Sequence, residues 1–343
     1  MTELTVYQTS LALEDTGRTL ILGHVNPDGD CLGSACALRE IIAMRGGSAD
    51  VACDGLIPDR LTFICSDALS FEDVMIDGYD TVISVDVASP GQLGRFAEYI
   101  PRIALMIDHH GTGEPYADNL VVPEASAAGE IVYDIYRELL LRGKIHSDVR
   151  VMRFIYSAIV SDTGSFKFSN TTPRTLAAAS ELCAGINSAQ DGGLDTADLC
   201  RLLFGRFTER EMKAKMLAIQ NMRFYENGRL GLVLFTKATL DGNGLDDGDI
   251  GNAVDTPRCI DGVYVALSVR ETGNKVYKIS SRANVDVDCA AVCASFGGGG
   301  HTRAAGCSVE ADSPEKAVEI AVEAFGEAVR EYAARANNEK VKI

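Results

Sequence analysis

The chain has 343 residues, 46% of them hydrophobic and 24% charged, enough for two ordinary domains with cores of their own, which excludes disorder as the whole account. Lys plus Arg number 32 against 49 Asp plus Glu, a formal charge of -17, and so acidic a surface repels long phosphate backbones and excludes a general nucleic-acid-coating role. No window approaches the roughly 20 continuous apolar residues of a membrane helix, and the start Met1, Thr2, Glu3, Leu4 lacks the basic opening of a secretory signal, so a cytoplasmic protein with no membrane partner is expected. The cysteines fall in apolar or helical stretches and never as C-x-x-C, which predicts reduced, buried side chains at Cys31, Cys36, Cys183, Cys200, Cys289 and Cys293.

Short β-rich apolar runs at 19–24, 50–53, 81–86 and 102–108 alternate with a helical period at about 31–45. That alternation predicts an α/β fold, a mostly parallel sheet with helices on both faces. Residues 126–163 read as two amphipathic helices, the second carrying Val151, Ile155, Ala158 and Ile159 into Ser161 and Asp162. A third helix starts at Thr172-Pro173, where Thr caps free N–H groups and Pro has none to lose. The periodicity breaks at 187–196, where Gly192, Gly193 and two Asp precede a charged helix at 197–222. The expected partition is a first domain at 1–190, a linker and connecting helix at 191–225, and a second, smaller mixed α+β domain at 226–343. That second domain shows strand-like runs at 229–236, 263–270 and 275–282, then a helix near Cys289, a Gly-rich turn, another strand and a terminal helix from Pro314. The acidic segment 241–249 reads as a solvated loop, and there is no internal repeat or low-complexity tract.

The first strand runs into His24-Val25-Asn26-Pro27-Asp28-Gly29-Asp30. Ligands of a doubly wound sheet bind outside the carboxyl ends of its strands, and Pro27 and Gly29 force a tight loop that can bring His24, Asp28 and Asp30 to one point. Taken alone, this segment supports helix capping and metal binding equally. Asp86 ends the run 81–86, and Asp108-His109-His110 ends the run 102–108. A carboxylate so placed is costly to desolvate without a cation or hydrogen bonds, and Asp162 adds another from a helix end. An oxygen-rich set with a minority of imidazoles favours Mn²⁺ or Mg²⁺ over a thiolate zinc site. Four or five carboxylates with two imidazoles exceed what one octahedral ion uses, so two ions are expected. Two metals clamp a phosphoryl group and activate water, which points to phosphoester hydrolysis. In the second domain the run Gly297-Gly298-Gly299-Gly300-His301-Thr302-Arg303 lets backbone N–H groups approach an anion, with His301 and Arg303 as further donors. It is neither a Walker loop nor G-x-G-x-x-G in its usual setting, and a flexible turn is the alternative reading. Arg282 either reaches the same ligand or forms a surface ion pair.

Together these residues resemble the DHH phosphoesterase superfamily: a His with two Asp after the first strand, an isolated Asp, the Asp-His-His triplet and a later Asp, in that order. Gly298-Gly299-Gly300-His301 followed by Ala304-Ala305-Gly306 resembles the hallmark of the DHH-associated C-terminal domain, so the likeness spans 15–335. The resemblance implies that His24, Asp28 and Asp86 hold one Mn²⁺ and that Asp30, Asp86, His109 and Asp162 hold the other, with Asp86 as bridge and Mg²⁺ or Co²⁺ as alternatives. It further implies that His110 contacts the scissile phosphate, that Asp108 orients the histidines, and that Arg282, Gly298, Gly299, Gly300, His301 and Arg303 bind substrate. Size and the stretch 161–172 look most like the nanoRNases. The expected activity is therefore hydrolysis of short oligoribonucleotides to 5′-mononucleotides and/or removal of the 3′-phosphate of 3′-phosphoadenosine 5′-phosphate (pAp). A phosphodiesterase of cyclic or linear dinucleotides, such as cyclic di-AMP or pApA, is the alternative. A catalytically idle nucleotide-binding protein is the remaining reading, disfavoured because every motif position is kept. Family likeness also implies a homodimer, and no long nucleic acid is expected as partner.

Overall fold

In the computed structural model the backbone is described for residues 1–340 apart from Thr112 and Asn252, and side chains for the same residues apart from His301 and 337–340. Helix α1 (Val6–Ala12) opens the chain, capped by a reciprocal Thr5–Gln8 pair. Strand β1 (Arg18–Leu22) is buried from Thr19 onward, as befits a central strand that needs cover on both faces. Then come α2 (Gly29–Met44), β2 (Ser48–Ala52), β3 (Thr81–Val85), β4 (Ile103–Asp108) and β5 (Asp118–Val121). The sheet order is β2-β1-β3-β4-β5, every pair parallel. The chain steps to one side of β1 and returns on the other, so the carboxyl ends of β1 and β3 flank the switch point where open α/β sheets bind ligands.

Alternation along the strands splits the apolar residues between two cores. Ile21, Ile83, Ile107 and Leu120 pack with α2, α3 (Ala128–Leu141), α4 (Val149–Asp162) and α5 (Pro173–Ser188). Leu20, Leu22, Val82 and Met106 pack instead with Leu93 and Phe96. This second face is covered by 3₁₀ turns, the longest Pro90–Arg102, and not by the α-helices expected on both faces. Pro90, the left-handed Gly94 at φ 59° and Pro101 deny that segment a continuous α-helical ladder.

The chain forms two compact units, Met1–Arg206 and Phe207–Ile343. A single helix over 197–222 does not form: α6 (Thr196–Cys200) runs into a π turn, Arg201–Gly205, and α7 (Glu209–Gln220) begins afresh at its Thr208 cap. The segment expected as a separate linker is therefore shared out, Leu199 and Leu203 entering the first unit's core and Ala214 and Ala218 a core of the second. The second unit continues with β6 (Arg223–Tyr225), β7 (Leu230–Phe235), α8 (Lys237–Gly242), α9 (Asp247–Ile250) and α10 (Asp255–Arg258). It closes with β8 (Val265–Gly273), β9 (Val276–Ala283), α11 (Cys289–Ala294), β10 (Gly299–His301), β11 (Ala304–Glu310) and α12 (Pro314–Lys340). Its sheet runs β10-β11-β9-β8-β7-β6, parallel only between β7 and β8. Leu267, Val269, Tyr277 and Ile279 face α11 and the Ala317, Ala321, Phe325, Val329 stripe of α12. The acidic segment 241–249 is mostly exposed, as a solvated segment should be, but only 243–246 is loop, the rest being the end of α8 and the start of α9, with Asp249 held 2.6 Å from Arg210. All ten cysteines are free, though Cys183 and Cys200 are only half-buried. No described helix is long and apolar enough to cross a membrane.

Candidate metal centre

The loop after β1 delivers His24 and then Asp28, the N-cap of α2, whose Oδ1 accepts from the backbone N–H of Asp30 and Cys31 at 3.0 and 3.1 Å. Asp28 Oδ1 also lies 3.8 Å from His24 Nε2. Capping and proximity to the cluster are thus not exclusive at this residue. Asp30, in the first turn, is fully buried and reaches the start of α3. Its Oδ2 accepts from Ala128 N–H at 2.7 Å, and its Oδ1 from Gly129 N–H at 2.9 Å and the Ser34 hydroxyl at 3.0 Å. The N-cap of α3 is Ala127, which has no side chain to offer, so Asp30 supplies the missing acceptor from another helix.

Asp86 follows the last residue of β3 at φ 58°, a left-handed backbone that a non-glycine residue adopts at a cost. That turn points its carboxylate inward, with Oδ2 3.5 Å from His24 Nε2 and Oδ1 3.6 Å from His109 Nε2 and 3.7 Å from His110 Nδ1. His109 Nε2 is also 3.7 Å from Asp30 Oδ2 and 3.7 Å from Asp162 Oδ2. His109 Nδ1 faces the Ala125 carbonyl at 3.3 Å. Since a carbonyl only accepts, Nδ1 carries a proton, so Nε2 is the nitrogen turned to the carboxylates, the one whose lone pair a cation would take in place of a proton. His110 donates from Nδ1 to Asp108 Oδ1 at 2.8 Å. Sequence reading therefore named eight residues, His24, Asp28, Asp30, Asp86, Asp108, His109, His110 and Asp162, that the fold brings to one rim.

The residues present fit divalent cations. Gaps of 3.5–3.8 Å are too long for N–H···O hydrogen bonds and only slightly wider than the roughly 3.0–3.4 Å between two donors each about 2.1 Å from one ion, so small side-chain shifts would close them onto a cation. Asp86 Oδ1 and Asp108 Oδ2 are buried with no hydrogen-bond partner, a costly arrangement unless positive charge is supplied. The titration directions say the same. Burial, with the Asp86 and Asp162 carboxylates beside it, pushes Asp30 well up. Burial and the Asp86 and Asp28 charges lift Asp162 to about 7, against the opposing imidazoles. Although burial opposes it, His24 and His109 are held up at about 10 by their carboxylate neighbours, and they in turn hold Asp86 well below the usual range against its own burial. Protons on the imidazoles stand where cations would otherwise balance the carboxylates.

Two features escaped sequence reading. Cys31 joins His24 and Asp86 in one group of nearby ligand-type atoms, although hydrogen bonding with Cys53 and burial push its thiol well up and keep it protonated. Its only signal was its place beside Asp30. Asn170 donates to the carbonyls of Ser126 at 2.9 Å and Asp162 at 3.1 Å, tying the end of α4 to the start of α3 over a separation that no local pattern reveals.

In the second unit Gly298 and Gly300 answer a packing demand. A Cβ on them would fall 2.2 Å from the Gly306 carbonyl and 2.5 Å from that of Ala304, and Gly300 sits at φ 139°, whereas a Cβ on Gly299 meets nothing within 4 Å. The glycine run is thus partly strand β10 and not a free turn. Arg282 makes no ion pair with a carboxylate among the described residues, its Nη1 donating to the Ser281 carbonyl at 2.9 Å. Arg303 is exposed, and the side chain of His301 lies outside the described residues.

Residues 18–159 match the DHH family N-terminal domain and residues 231–333 the DHHA1 domain, together more than half of the chain. The chain is 29% identical over 310 residues to the bifunctional oligoribonuclease and PAP phosphatase NrnA of Bacillus subtilis (strain 168), covering 88% of this chain and 91% of that one. Its fold is similar to that of an exopolyphosphatase-related protein from Bacteroides fragilis, with a TM-score of 0.84 at 23% identity over 95% of this chain and 96% of the other. Exonuclease RecJ bound to manganese superposes more loosely, with a TM-score of 0.57 at 16% identity over 98% and 96% of the two chains. With an Asp-His-His triplet on the strand-end rim of its first unit and a glycine-histidine strand in its second, the chain belongs to the DHH family of phosphoesterases.

Proposed function

We propose that this chain hydrolyses short oligoribonucleotides to 5′-mononucleotides and removes the 3′-phosphate of pAp, using two divalent cations, Mn²⁺ foremost. The observation that carries the reading is the Asp86-centred cluster, in which one left-handed carboxylate stands between three histidines, two on one oxygen and one on the other. In support stands the near full-length likeness to an oligoribonuclease and PAP phosphatase.

Cations held by His24, Asp28 and Asp86 and by Asp30, Asp86, His109 and Asp162 would draw charge from a phosphoryl group and lower the barrier to attack on it. The chain's own residues do the rest. Asp30, fastened by three donors, cannot swing away, and His109 is fixed in the tautomer that leaves Nε2 free. His110, oriented by Asp108, presents its other ring nitrogen as a donor toward developing negative charge, its imidazole held upward by the Asp108 hydrogen bond despite burial. Arg282, His301 and the open Gly299 contribute substrate contacts in the second unit, in keeping with the family resemblance.

The test is product analysis with Mn²⁺ on pAp, pApA, cyclic di-AMP and RNAs of two to five nucleotides. Release of 5′-AMP from pAp and from the short RNAs is expected. Turnover of cyclic di-AMP alone would assign a cyclic dinucleotide phosphodiesterase instead, and no turnover of any of them would overturn the reading.

A further inference from the structure

One phenol of the first unit takes no part in the chemistry described so far, yet it bears on Asp86. Tyr116 lies two residues ahead of β5, half-buried, and its ring joins the apolar cluster of Val87, Leu93 and Phe96 on the 3₁₀-covered face of the sheet. Its hydroxyl reaches the Ser84 hydroxyl at 2.9 Å and the Val87 carbonyl at 3.2 Å. A carbonyl only accepts, whereas a serine hydroxyl gives as well as takes, so one phenolic group satisfies both contacts at once. Ser84 and Val87 are fully buried, and no other hydrogen bond among the described residues reaches the Ser84 hydroxyl or the Val87 carbonyl. Neither group can be left without its partner except at a cost.

These two groups stand on either side of Asp86. Ser84 precedes it by two residues, on the face that Val82 shares, and Val87 follows it directly. Between them the chain makes the left-handed turn at φ 58°. Such a turn in a non-glycine residue persists where the surroundings over-determine it. The Asp86 amide donates to the Ile107 carbonyl of β4 at 3.0 Å, and farther on Gln92 Oε1 accepts from the amides of Ala88 and Ser89 at 2.7 and 3.2 Å. The first contact acts on Asp86 itself and the other two act beyond it, while the Tyr116 oxygen ties the chain before the turn to the chain after it. Rotation of that turn would carry both Asp86 carboxylate oxygens away from His24, His109 and His110 together.

We propose that Tyr116 is a positioning residue, whose hydroxyl clamps the left-handed turn and so holds the Asp86 carboxylate where two cations can share it. The inference rests on the reading of Asp86 as a metal ligand in a phosphoesterase.

The experiment titrates Mn²⁺ into the full chain by calorimetry and measures kcat and KM for pAp, in the wild type, in Tyr116→Phe and in Tyr136→Phe. Tyr116→Phe keeps the ring in its apolar cluster and removes only the hydroxyl. It should weaken Mn²⁺ binding by about 10–100-fold and lower kcat at saturating Mn²⁺ by about tenfold or more, as groups behind metal ligands do, with KM changed by no more than about twofold. Tyr136 is the control. Its hydroxyl accepts from the Asp148 amide at 2.9 Å, at the N-cap of α4 and so at the end opposite Asp162, and Tyr136→Phe should leave Mn²⁺ affinity and kcat within about twofold of the wild type. Wild-type values in Tyr116→Phe, or an equal loss in both variants, overturn the proposal. If the wild type binds Mn²⁺ but hydrolyses neither pAp nor short RNAs, the phosphoesterase reading fails and the Mn²⁺ titration alone decides the clamp. A wild type that binds no Mn²⁺ overturns both. Should Tyr116→Phe unfold early, Ser84→Ala removes the other end of the clamp and carries the same titration, with about tenfold weaker Mn²⁺ binding expected and wild-type binding as the contrary result.

Discussion

Asp86 concentrates the chemistry of the first unit in one residue. Its left-handed backbone costs about 1–2 kcal/mol for a non-glycine side chain, and its Oδ1 is buried without a hydrogen-bond partner; both become intelligible if it bridges two cations. Asp86→Ala should lower turnover by several orders of magnitude, since the remaining carboxylates hold two cations poorly. It should also shrink the rise in melting temperature that Mn²⁺ produces in the wild type, and near-normal activity in this variant would refute the assignment. Asp28 allows its two roles to be separated. Asn caps helices as well as Asp does, so Asp28→Asn should leave the thermal midpoint nearly unchanged while weakening Mn²⁺ binding, as read by metal titration. Behind the ligands, the buried Glu130 accepts from the Ser126 amide at 3.1 Å, the Ser126 hydroxyl at 2.7 Å and the Thr175 hydroxyl at 2.9 Å. It thereby holds the turn whose Ala125 carbonyl fixes the tautomer of His109. Glu130→Gln should weaken Mn²⁺ affinity by about 10–100-fold, the usual effect of disturbing groups behind metal ligands, and wild-type affinity in that variant would limit Glu130 to a structural part.

Element ends, more than element interiors, build the site. The carboxyl ends of β1, β3 and β4 supply His24, Asp86 and Asp108 through His110, the first turn of α2 supplies Asp30, and the last residue of α4 supplies Asp162. After α4 the chain holds Gly164, Ser165 and Phe166 at φ 55°, 59° and 62°. Three successive left-handed residues reverse the chain so that Asn170 returns to the Asp162 carbonyl. Ser165 has no glycine's freedom there, so Ser165→Gly should raise stability by up to about 1 kcal/mol, an increase readable in the unfolding midpoint. At the start of α5, Thr172 and Thr175 cap each other reciprocally, and Thr172→Ala should cost about 1 kcal/mol. A fall in stability from the first variant, or none from the second, would show that tertiary contacts and not local geometry hold these ends.

At the scale of the whole molecule, the proposed function makes net charge the property that should limit substrate length. At -17, binding gains little from counterion release along a polymer, while a few donors and cations hold one or two phosphates at close range. Over a series from two to about 24 nucleotides at fixed Mn²⁺ and salt, rates per molecule should fall or stay level, because contacts beyond the terminus are repelled. Rates that climb steadily with length would mark a processive exonuclease instead.

What could be read from the chain without its fold were features that local physics enforces. An apolar strand that ends in Asp or His declares itself, as at Asp86 and at Asp108-His109-His110, because such residues interrupt a buried run at a cost. Caps such as Thr172-Pro173 declare themselves for the same reason. Tertiary structure alone decided which ends meet. Asp30 accepts from Ala128 and Gly129 across separations of 98 and 99 residues, so its second task could not be seen in α2. Cys31 stands by His24 only because α2 packs along β1. The 3₁₀ cover of one sheet face follows from packing on strands distant in the chain, and Gly299–His301 join β10 through a hairpin with Ala304–Gly306 that β9, its next neighbour, extends into a sheet. Tyr116 is an unremarkable phenol until packing sets its hydroxyl across the turn at Asp86. Local sequence carries periods and caps, which depend on neighbours a few residues away, whereas a site depends on distances that only the packed chain determines.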